Sequence, residues 1–256
     1  MKEVQAVKRA VEVLELFKRT VPELGVTEVA NKLSLNKATV ARLMYTLMEN
    51  GFLTKIGNSE QYRLGWKVCL LGDIFLSTIN LREIALPYMK ELNSKWNETI
   101  DLCILSGYNR LWLERLESNY EVRPMSVVGR LGPIHAGAGG KVLLGFLPEL
   151  EIKKFLETEE LPRFTKNTIT NKRVLKKEIE RIQDQGYAVS YEERVPLINA
   201  VAAPIRDHQG YVIASLSISG LVSSLTPERI QDSLIPAVLK TASIISREMG
   251  YNNSSK

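Results

Sequence analysis

The stretch "PIHAGAGGKVLLG", residues 133–145, combines glycines, a lysine and an apolar segment, which is typical of phosphate-binding loops. A P-loop requires a further glycine five positions before Gly140 and a hydroxyl after the lysine, but these positions hold His135 and Val142. The dinucleotide fingerprint also fails, because its third glycine falls on Val142. We therefore predict a small-residue loop that opens a helix and presents free backbone amides to an anion.

Residues that bind metals or act as nucleophiles are sparse in this chain. Cys69 and Cys103 have no Cys or His at metal-ligand spacing, so we expect both to be small buried hydrophobic residues. His135 is expected to orient backbone through a hydrogen bond, and His208, in the polar turn "RDHQG", to be solvated. The sequence predicts no metal site and no cofactor.

The acidic pair in "YEER" is the nearest approach to an acid/base arrangement. Glu192 and Glu193 are adjacent, so an extended chain points them to opposite faces, which argues against paired catalytic carboxylates. Lys141 follows the glycine loop and precedes an apolar run, and we expect it to be a solvated or capping residue. We predict no catalytic residue.

Composition and charge are those of an ordinary globular protein with a mildly basic N-terminal part. Of the 256 residues, 45% are hydrophobic and 25% charged, and the net charge is +5. Residues 1–78 carry 11 Lys and Arg against 8 Asp and Glu, which permits nucleic-acid binding. No run approaches the roughly 18 apolar residues of a membrane span, and no signal peptide is evident, so we expect a cytoplasmic protein.

The N-terminal part has the periodicity of three helices followed by a hairpin. Helices are predicted over residues 4–17, 26–33 and 37–50, and "FLTKI" and "QYRLG" are two strands joined at residues 57–59. Asn36 is a suitable N-cap whose side chain can accept from the Thr39 amide. This order predicts a winged helix-turn-helix in residues 1–65, with the helix-turn-helix at about 26–45, and a linker helix over 66–80.

Beyond residue 81 the pattern alternates between strands and helices. This indicates an α+β domain over residues 81–251, with a largely antiparallel sheet and flanking helices. An amphipathic helix begins at Leu81, and Thr226 caps a final helix that Pro236 is expected to kink. The other predicted strands are 99–105, 110–117, 122–128, 187–192, 198–206 and 211–219, and the other predicted helices are 138–147, 149–157 and 171–185.

The face of the third helix that is directed away from the predicted core carries small, basic and aromatic residues. Two alanines allow close approach to a DNA groove, an arginine can bond a guanine edge or a phosphate, and a tyrosine offers a flat contact. Residues at the helix start and in the wing are placed to meet phosphates. The predicted DNA-binding residues are Lys37, Ala38, Thr39, Ala41, Arg42, Tyr45, Lys55 and Arg63.

These segments together resemble the IclR family of bacterial transcriptional regulators over nearly the whole chain. The N-terminal match runs through "VTEVANKLSLNKATVARLMYTLMENGFL", and the C-terminal match through "LREIALPYMKEL", "PIHAGAGGKVLLGFLPE", "GYAVSYEE" and "AVAAPIRD". The resemblance implies a GAF-like or PAS-like effector domain, homodimers that often pair into tetramers, and control of catabolic operons by small organic acids.

The resemblance also implies an effector pocket between the glycine loop and two strands. Carried over residue by residue, it is formed by Ala138, Gly139, Gly140, Ser190, Ala200, Ser217 and Ser219. Members that bind small keto acids have an acidic residue at the position of Ser190 and a cysteine at that of Ala200. Loop amides facing two serines on one strand face form a neutral cup, which suits a carboxylate whose charge is met by dipoles rather than by lysine.

The sequence thus predicts a transcriptional regulator, repressor or activator, whose partners are double-stranded operator DNA, a small organic acid and a second copy of itself. Aromatic acids, sugar acids and small keto acids all remain open as effectors. Two alternatives also remain: an enzyme, or an oligomerisation scaffold with a vestigial pocket, fused to the DNA-binding module.

Overall fold

The computed structural model describes residues 3–18, 20–78, 80–121, 123–124 and 127–252. The chain forms two compact units, unit 1 over residues 1–78 and unit 2 over residues 79–256. In the described part of the chain, no helix has the length and apolar character needed to cross a membrane.

Unit 1 contains the predicted helices and hairpin. A short additional strand joins the hairpin, so the sheet has three antiparallel strands in the order β1-β3-β2. The predicted winged helix-turn-helix is therefore confirmed. Its elements are α1 (Gln5–Glu15), β1 (Leu24–Gly25), α2 (Val26–Leu33), α3 (Lys37–Glu49), β2 (Leu53–Lys55), β3 (Gln61–Leu64) and α4 (Trp66–Thr78).

Helix α3 is anchored through its apolar face and its N-terminal cap. Val40, Met44 and Leu47 are buried in the core of unit 1. The Asn36 side chain accepts from the Ala38 amide at 2.8 Å, rather than from the Thr39 amide as predicted. Both hydrogen bonds occur at helix N-caps, and here the Asn36 side chain accepts from the nearer of the two amides.

Two apolar surfaces of unit 1 remain exposed in the single chain. Val4, Val7 and Val11 on the first helical segment are 66%, 62% and 47% exposed. On α4, Trp66 is 67% exposed and Cys69 is also exposed. The prediction that Cys69 is buried is therefore wrong, because an apolar helix surface stays exposed where no other part of the same chain packs against it.

Unit 2 is a six-stranded antiparallel sheet flanked by helices, in the order β6-β5-β4-β9-β8-β7. Helix α6 contacts β7, β8 and β9 and, less extensively, β4 and β5. Helix α5 also contacts β4 and β5, and α10 contacts β8 and β9. This confirms the α+β fold class. The elements are α5 (Asn80–Trp96), β4 (Thr99–Ser106), β5 (Asn109–Leu116), β6 (Leu131–Pro133), α6 (Ala138–Gly145), α7 (Glu149–Thr158), α8 (Lys172–Gln185), β7 (Ala188–Tyr191), β8 (Ile198–Arg206), β9 (Val212–Leu221), α9 (Pro227–Arg229) and α10 (Ile235–Glu248).

In unit 2, one local prediction is corrected and another is made more specific. The third strand is β6 and not the segment 122–128, of which 122, 125 and 126 lie outside the described residues and the others form no strand. The final helix does change geometry near Pro236, as a π-helical turn over Ile230–Leu234. Proline lacks an amide hydrogen and crowds the preceding turn, which accounts for the widened helix there.

A β-bulge fixes which side chains share one face of the sheet. Leu102 lies opposite Glu114 while Cys103 lies opposite Trp112, so Leu113 is an extra residue on β5. Side chains on either side of a bulge change faces relative to simple alternation. As a result Arg115 lies on the same face as Trp112.

Substitution Gly65→Ala tests the close approach between β3 and the end of α3. A Cβ at Gly65 would overlap the Gly51 carbonyl oxygen and lie 2.9 Å from its carbon. We expect a loss of about 1–3 kcal/mol in the unfolding free energy, the usual cost of overpacking. Urea denaturation measures this loss of unfolding free energy, and hydrogen exchange of peptides covering residues 24–64 locates it in the chain.

Gly72→Ala is the matched control, because nothing lies within 4 Å of a Cβ built there on α4. Replacing glycine within a helix should raise stability by roughly 0.5–1 kcal/mol. Equal effects of the two substitutions would contradict the packing described at Gly65.

Candidate functional site

The face of α3 opposite the core of unit 1 is fully open. Ala38, Ala41, Arg42 and Tyr45 are all exposed, and Tyr45 is 57% exposed. Among the described residues, none forms an ion pair or a hydrogen bond with the guanidinium of Arg42. The side chains that sequence analysis predicted to read DNA therefore form one continuous surface.

The flanking basic residues surround this surface. Lys37 at the start of α3 is exposed and Thr39 is half-buried. In the hairpin, Lys55 and Arg63 are exposed, and Lys55 lies 3.5 Å from Glu60. Such an exposed ion pair contributes little, so Lys55 is available to a stronger anion.

A cleft in unit 2 gathers most of the residues predicted to bind an effector. Its lining contains six of the seven predicted residues, Ala138, Gly139, Ser190, Ala200, Ser217 and Ser219. Gly140 does not line it. A Cβ at Gly140 would lie 2.8 Å from the Pro133 carbonyl oxygen, so this glycine allows α6 to pack against the chain beside it.

The strand registers explain why the cleft residues meet. Ser190 lies opposite Ala200, which in turn lies opposite Ser219. One row away, Ser217 lies opposite Asp101. Because cross-strand partners share a face, these side chains lie together beneath the start of α6. The predicted common orientation of Ser217 and Ser219 is confirmed.

The cleft is not the neutral cup predicted from sequence, because Arg110 lines it. Arg110 is 6% exposed, and no hydrogen-bond partner of its Nε is found among the described residues. A Cβ at Gly137 would lie 3.1 Å from Nη2 of Arg110, so the guanidinium packs against the start of α6. Burial lowers the pKa of Arg110. A buried cation without an acceptor is costly and suits an anion.

A second arginine approaches from the segment between β7 and β8. Arg194 also lines the cleft, and its guanidinium carbon lies 4.7 Å from the Trp112 ring centroid. The guanidinium carbon of Arg110 lies 4.4 Å from the same centroid. Burial, and then the charge of Arg110, lower the pKa of Arg194 to about 10, which still leaves it charged at neutral pH.

The acidic residue of the cleft already has a partner. Asp101 is bonded to Arg115 at 2.8 Å, and both side chains are more than nine-tenths buried. Burial raises the pKa of Asp101, and the charges of Arg115 and Arg110 oppose this. Asp101 therefore orients Arg115 and the Ser219 hydroxyl, which lies 3.5 Å away.

Lys141 is buried, so its predicted role as a solvated or capping residue is wrong. Its Nζ donates to Glu193 at 2.6 Å, to Glu178 at 2.7 Å and to the Val189 carbonyl at 2.8 Å. Glu193 also accepts from the Gly137 amide at 3.2 Å. This ammonium thus joins α6 to α8, β7 and the segment after β7.

The remaining candidates behave as structural residues. The buried His135 ring lies 3.1 Å from the Pro162 carbonyl, so the predicted backbone hydrogen bond is confirmed, and burial lowers its pKa. Cys103 is buried, as predicted, and burial raises the pKa of its thiol to about 12. Across the described residues, no group of three potential metal ligands occurs.

Sequence reasoning missed the arginines because strand alternation does not show which face of β5 lines the cleft. Arg110 and Trp112 are two positions apart and share a face, and the bulge at Leu113 adds Arg115 to that face. Arg194 lies outside the strands, on the segment between β7 and β8. The available signal was an arginine two positions before a tryptophan in an otherwise apolar strand, "RLWL", since an inward strand position rarely holds an unpaired charge.

Comparisons with known families cover both units. Residues 6–57 match the family model described as the IclR helix-turn-helix domain. Residues 74–247 match the model described as the C-terminal domain of bacterial IclR transcriptional regulators.

Individual relatives match over almost their whole length. The transcriptional regulator XynR of Escherichia coli is 32% identical, over 97% of this chain and 98% of its own. The crystal structure of Thermotoga maritima IclR has a TM-score of 0.80 and 33% identity, covering 97% of this chain and 100% of the other. An IclR homologue from Microbacterium hydrocarbonoxydans, crystallised with 4-hydroxybenzoate, has a TM-score of 0.83 and 25% identity, covering 95% and 98%.

Lys141→Met tests whether the buried ammonium holds the cleft together. The substitution leaves the Glu193 carboxylate buried without its cation, so we expect a loss of about 3–5 kcal/mol in unfolding free energy. Without the ammonium, burial keeps the folded-state pKa of Glu193 above its unfolded value. Such a carboxyl stabilises the fold when protonated, and this contribution is lost as pH rises through the folded-state pKa.

The loss should therefore be larger at pH 8 than at pH 5, as measured by urea unfolding at both values. Lys176→Met on α8 is the control, because Lys176 is exposed and lies 4.0 Å from Glu180. It should change stability by less than about 0.5 kcal/mol. A Lys141→Met loss as small as the control, or independent of pH, would contradict the described network.

Proposed function

Because this chain belongs to the IclR family of bacterial transcriptional regulators, we propose that it binds operator DNA through unit 1 and a small organic acid through unit 2. The observation that carries the proposal is the buried guanidinium of Arg110 beside the amide end of α6. Both features favour a negatively charged group at the same point in the cleft. As a reader of chromosomal DNA, the protein would act in the cytoplasm.

The exposed face of α3 supports the DNA-binding part of the proposal. Ala38 and Ala41 leave room for a groove wall, and Arg42 has a free guanidinium fork for a guanine edge. Lys37, with the amides of the helix start, and the basic residues of the hairpin would contact phosphates and fix the register. We propose that α3 enters the major groove.

The cleft supports the effector part. Its lining combines a few convergent polar groups, the guanidinium of Arg110 and the hydroxyls of Ser217 and Ser219, as small-molecule sites do. The Microbacterium hydrocarbonoxydans relative was crystallised with an organic acid, 4-hydroxybenzoate. By analogy, we propose that the acid group lies between Arg110 and the start of α6, with Ser217 and Ser219 bonding the remainder of the ligand.

The exposed apolar residues of unit 1 support self-association. Val4, Val7 and Val11 lie at helical spacing near the N-terminus, and Trp66 begins the apolar helix α4. Burial of such surfaces is a main driving force for dimers. We propose a homodimer, able to pair further into a tetramer, in which two α3 helices bind two operator half-sites.

Regulation then follows from linkage between the two ligands. An acid that binds one dimer arrangement better than another shifts the population toward it, and operator affinity changes accordingly. An oligomerisation scaffold with a vestigial pocket is the competing function. It predicts the same DNA binding without any change in stability or DNA affinity on addition of acids.

Arg42→Ala tests the DNA-reading surface. A duplex is first selected from a random pool with the native protein, and its affinity for each variant is then measured by fluorescence anisotropy. Loss of a bidentate base contact should weaken binding by about 1–3 kcal/mol, or roughly 5- to 150-fold. Arg42→Lys should recover only part of this, because lysine keeps the charge but not the fork.

The control for this experiment is Lys18→Ala, an equal charge change in unit 1 at an exposed residue outside α3. It should leave affinity for the selected duplex within about threefold. Native-like binding by Arg42→Ala would exclude α3 as the reading helix.

The double substitution Ser217→Ala and Ser219→Ala tests the cleft. A thermal-shift screen of organic acids with the full chain identifies the acid that raises the melting temperature most, since a ligand stabilises the state it binds. The double variant should lose most of this shift and keep its affinity for the selected duplex. Ser215→Ala is the control, because Ser215 is buried on the same strand face but does not line the cleft. A full shift in the double variant would overturn the site.

A further inference from the structure

The charges that face the cleft do not balance. Among the described residues, its ionisable lining residues are Asp101, Arg110 and Arg194. Asp101 is bonded to Arg115 at 2.8 Å, so those two charges cancel. Outside the described ranges, unit 2 contains one ionisable side chain, that of Lys256 at the C-terminus. Arg110 and Arg194 therefore give the cleft an excess of two positive charges.

The carboxylates behind the cleft are committed elsewhere. Glu193 is bonded to Lys141 at 2.6 Å, and the same ammonium bonds Glu178 at 2.7 Å. Arg181 completes this group, with 2.7 Å to Glu178. Two carboxylates and two cations are thus neutral as a set, and Glu193 is not free to neutralise Arg110 as well.

The two excess cations are held near one another. The guanidinium carbons of Arg110 and Arg194 lie 4.4 Å and 4.7 Å from the centroid of the Trp112 ring. The distance between the two carbons is therefore no greater than the sum of these two distances. The ring itself is fixed, since Trp112 is 2% exposed and covers Gly132. The exposed Arg130 adds to the positive charge that lowers the pKa of Arg194.

Each guanidinium has a different environment. Arg110 is buried at the start of α6 and has no carboxylate within ion-pair distance in the described part of the chain. Arg194 is partly exposed, on the segment between β7 and β8. An acidic group at the first position would be desolvated and bonded by amides, while one at the second would lie nearer to solvent.

We propose that the natural ligand of the cleft is a small dicarboxylate, with one carboxylate held by Arg110 and the start of α6 and the other by Arg194. The inference rests on the proposed function, in which the cleft binds an organic acid, and it adds the charge and the class of that acid. A dianion neutralises both excess cations, whereas a monoanion leaves one of them unpaired beside the other.

Calorimetric titration of the full chain tests this with pairs of acids of equal length. The probes are succinate, glutarate and adipate, each compared at constant ionic strength with the monoamide in which one carboxylate becomes a neutral amide. The best dicarboxylate should bind at least tenfold more tightly than its monoamide. Equal affinities within every pair would overturn the dicarboxylate assignment while leaving the cleft as a site for acids.

Variants assign the second charge to Arg194. Arg194→Gln should reduce the preference for the dicarboxylate to less than threefold while the monoamide still binds, and Arg110→Gln should weaken both ligands. Arg173→Gln, the same charge change at an exposed position on α8, should leave the preference unchanged. If Arg110→Gln does not fold, the comparison between Arg194→Gln and Arg173→Gln decides.

Two results distinguish failure of the dicarboxylate inference from failure of the proposed effector site. A preference retained in Arg194→Gln would contradict the proposed role of this arginine and overturn the inference. Failure of every acid in the screen, mono- or dicarboxylate, to shift the melting temperature of the native chain would overturn the effector site itself, and with it the inference.

Discussion

The buried ammonium of Lys141 is the interaction on which the cleft depends, because it bonds Glu178 on α8, Glu193 after β7 and the carbonyl of Val189 on β7. Glu193 then accepts from the Gly137 amide, so the same network holds the start of α6. A charge removed from water needs all of its partners, and the loss of one leaves another charge uncompensated. The network therefore fixes α6 over the sheet and also consumes the carboxylates that would otherwise neutralise Arg110.

The positive character of the cleft follows from this arrangement. Glu193 is committed to Lys141 and Asp101 to Arg115, so in the part of the chain that the structure describes, the guanidiniums of Arg110 and Arg194 face the cleft without an ion-paired carboxylate. Their mutual repulsion opposes folding, and a bound anion relieves it. In the proposed function, the binding energy of an acid would then favour one arrangement of the protein over another, which is what a regulator requires.

Local patterns predicted most of the fold but only part of the cleft. The bounds of α2 and β8 follow from periodicity, and the N-cap of α3 follows from the single residue Asn36, because these signals depend on near neighbours. The shared face of Ser217 and Ser219 follows from the two-residue repeat of a strand. Lys141 could not be placed in this way, because its partners lie 37 and 52 positions away. Arg110 was missed because alternation along β5 does not show which face of the strand lines the cleft. The exposure of Cys69 was missed because no other part of the same chain covers that apolar helix surface.

The most direct test of coupling between the cleft and DNA is the affinity of the acid measured with and without operator. The acid with the largest thermal shift is titrated into the full chain alone and into the chain saturated with the selected duplex. Linkage requires the acid's dissociation constant to change by the same factor, and in the same direction, as the acid changes that of the duplex. We predict a factor of about 5–150, the usual range of allosteric coupling. Identical acid affinity in the presence and absence of DNA would contradict the account.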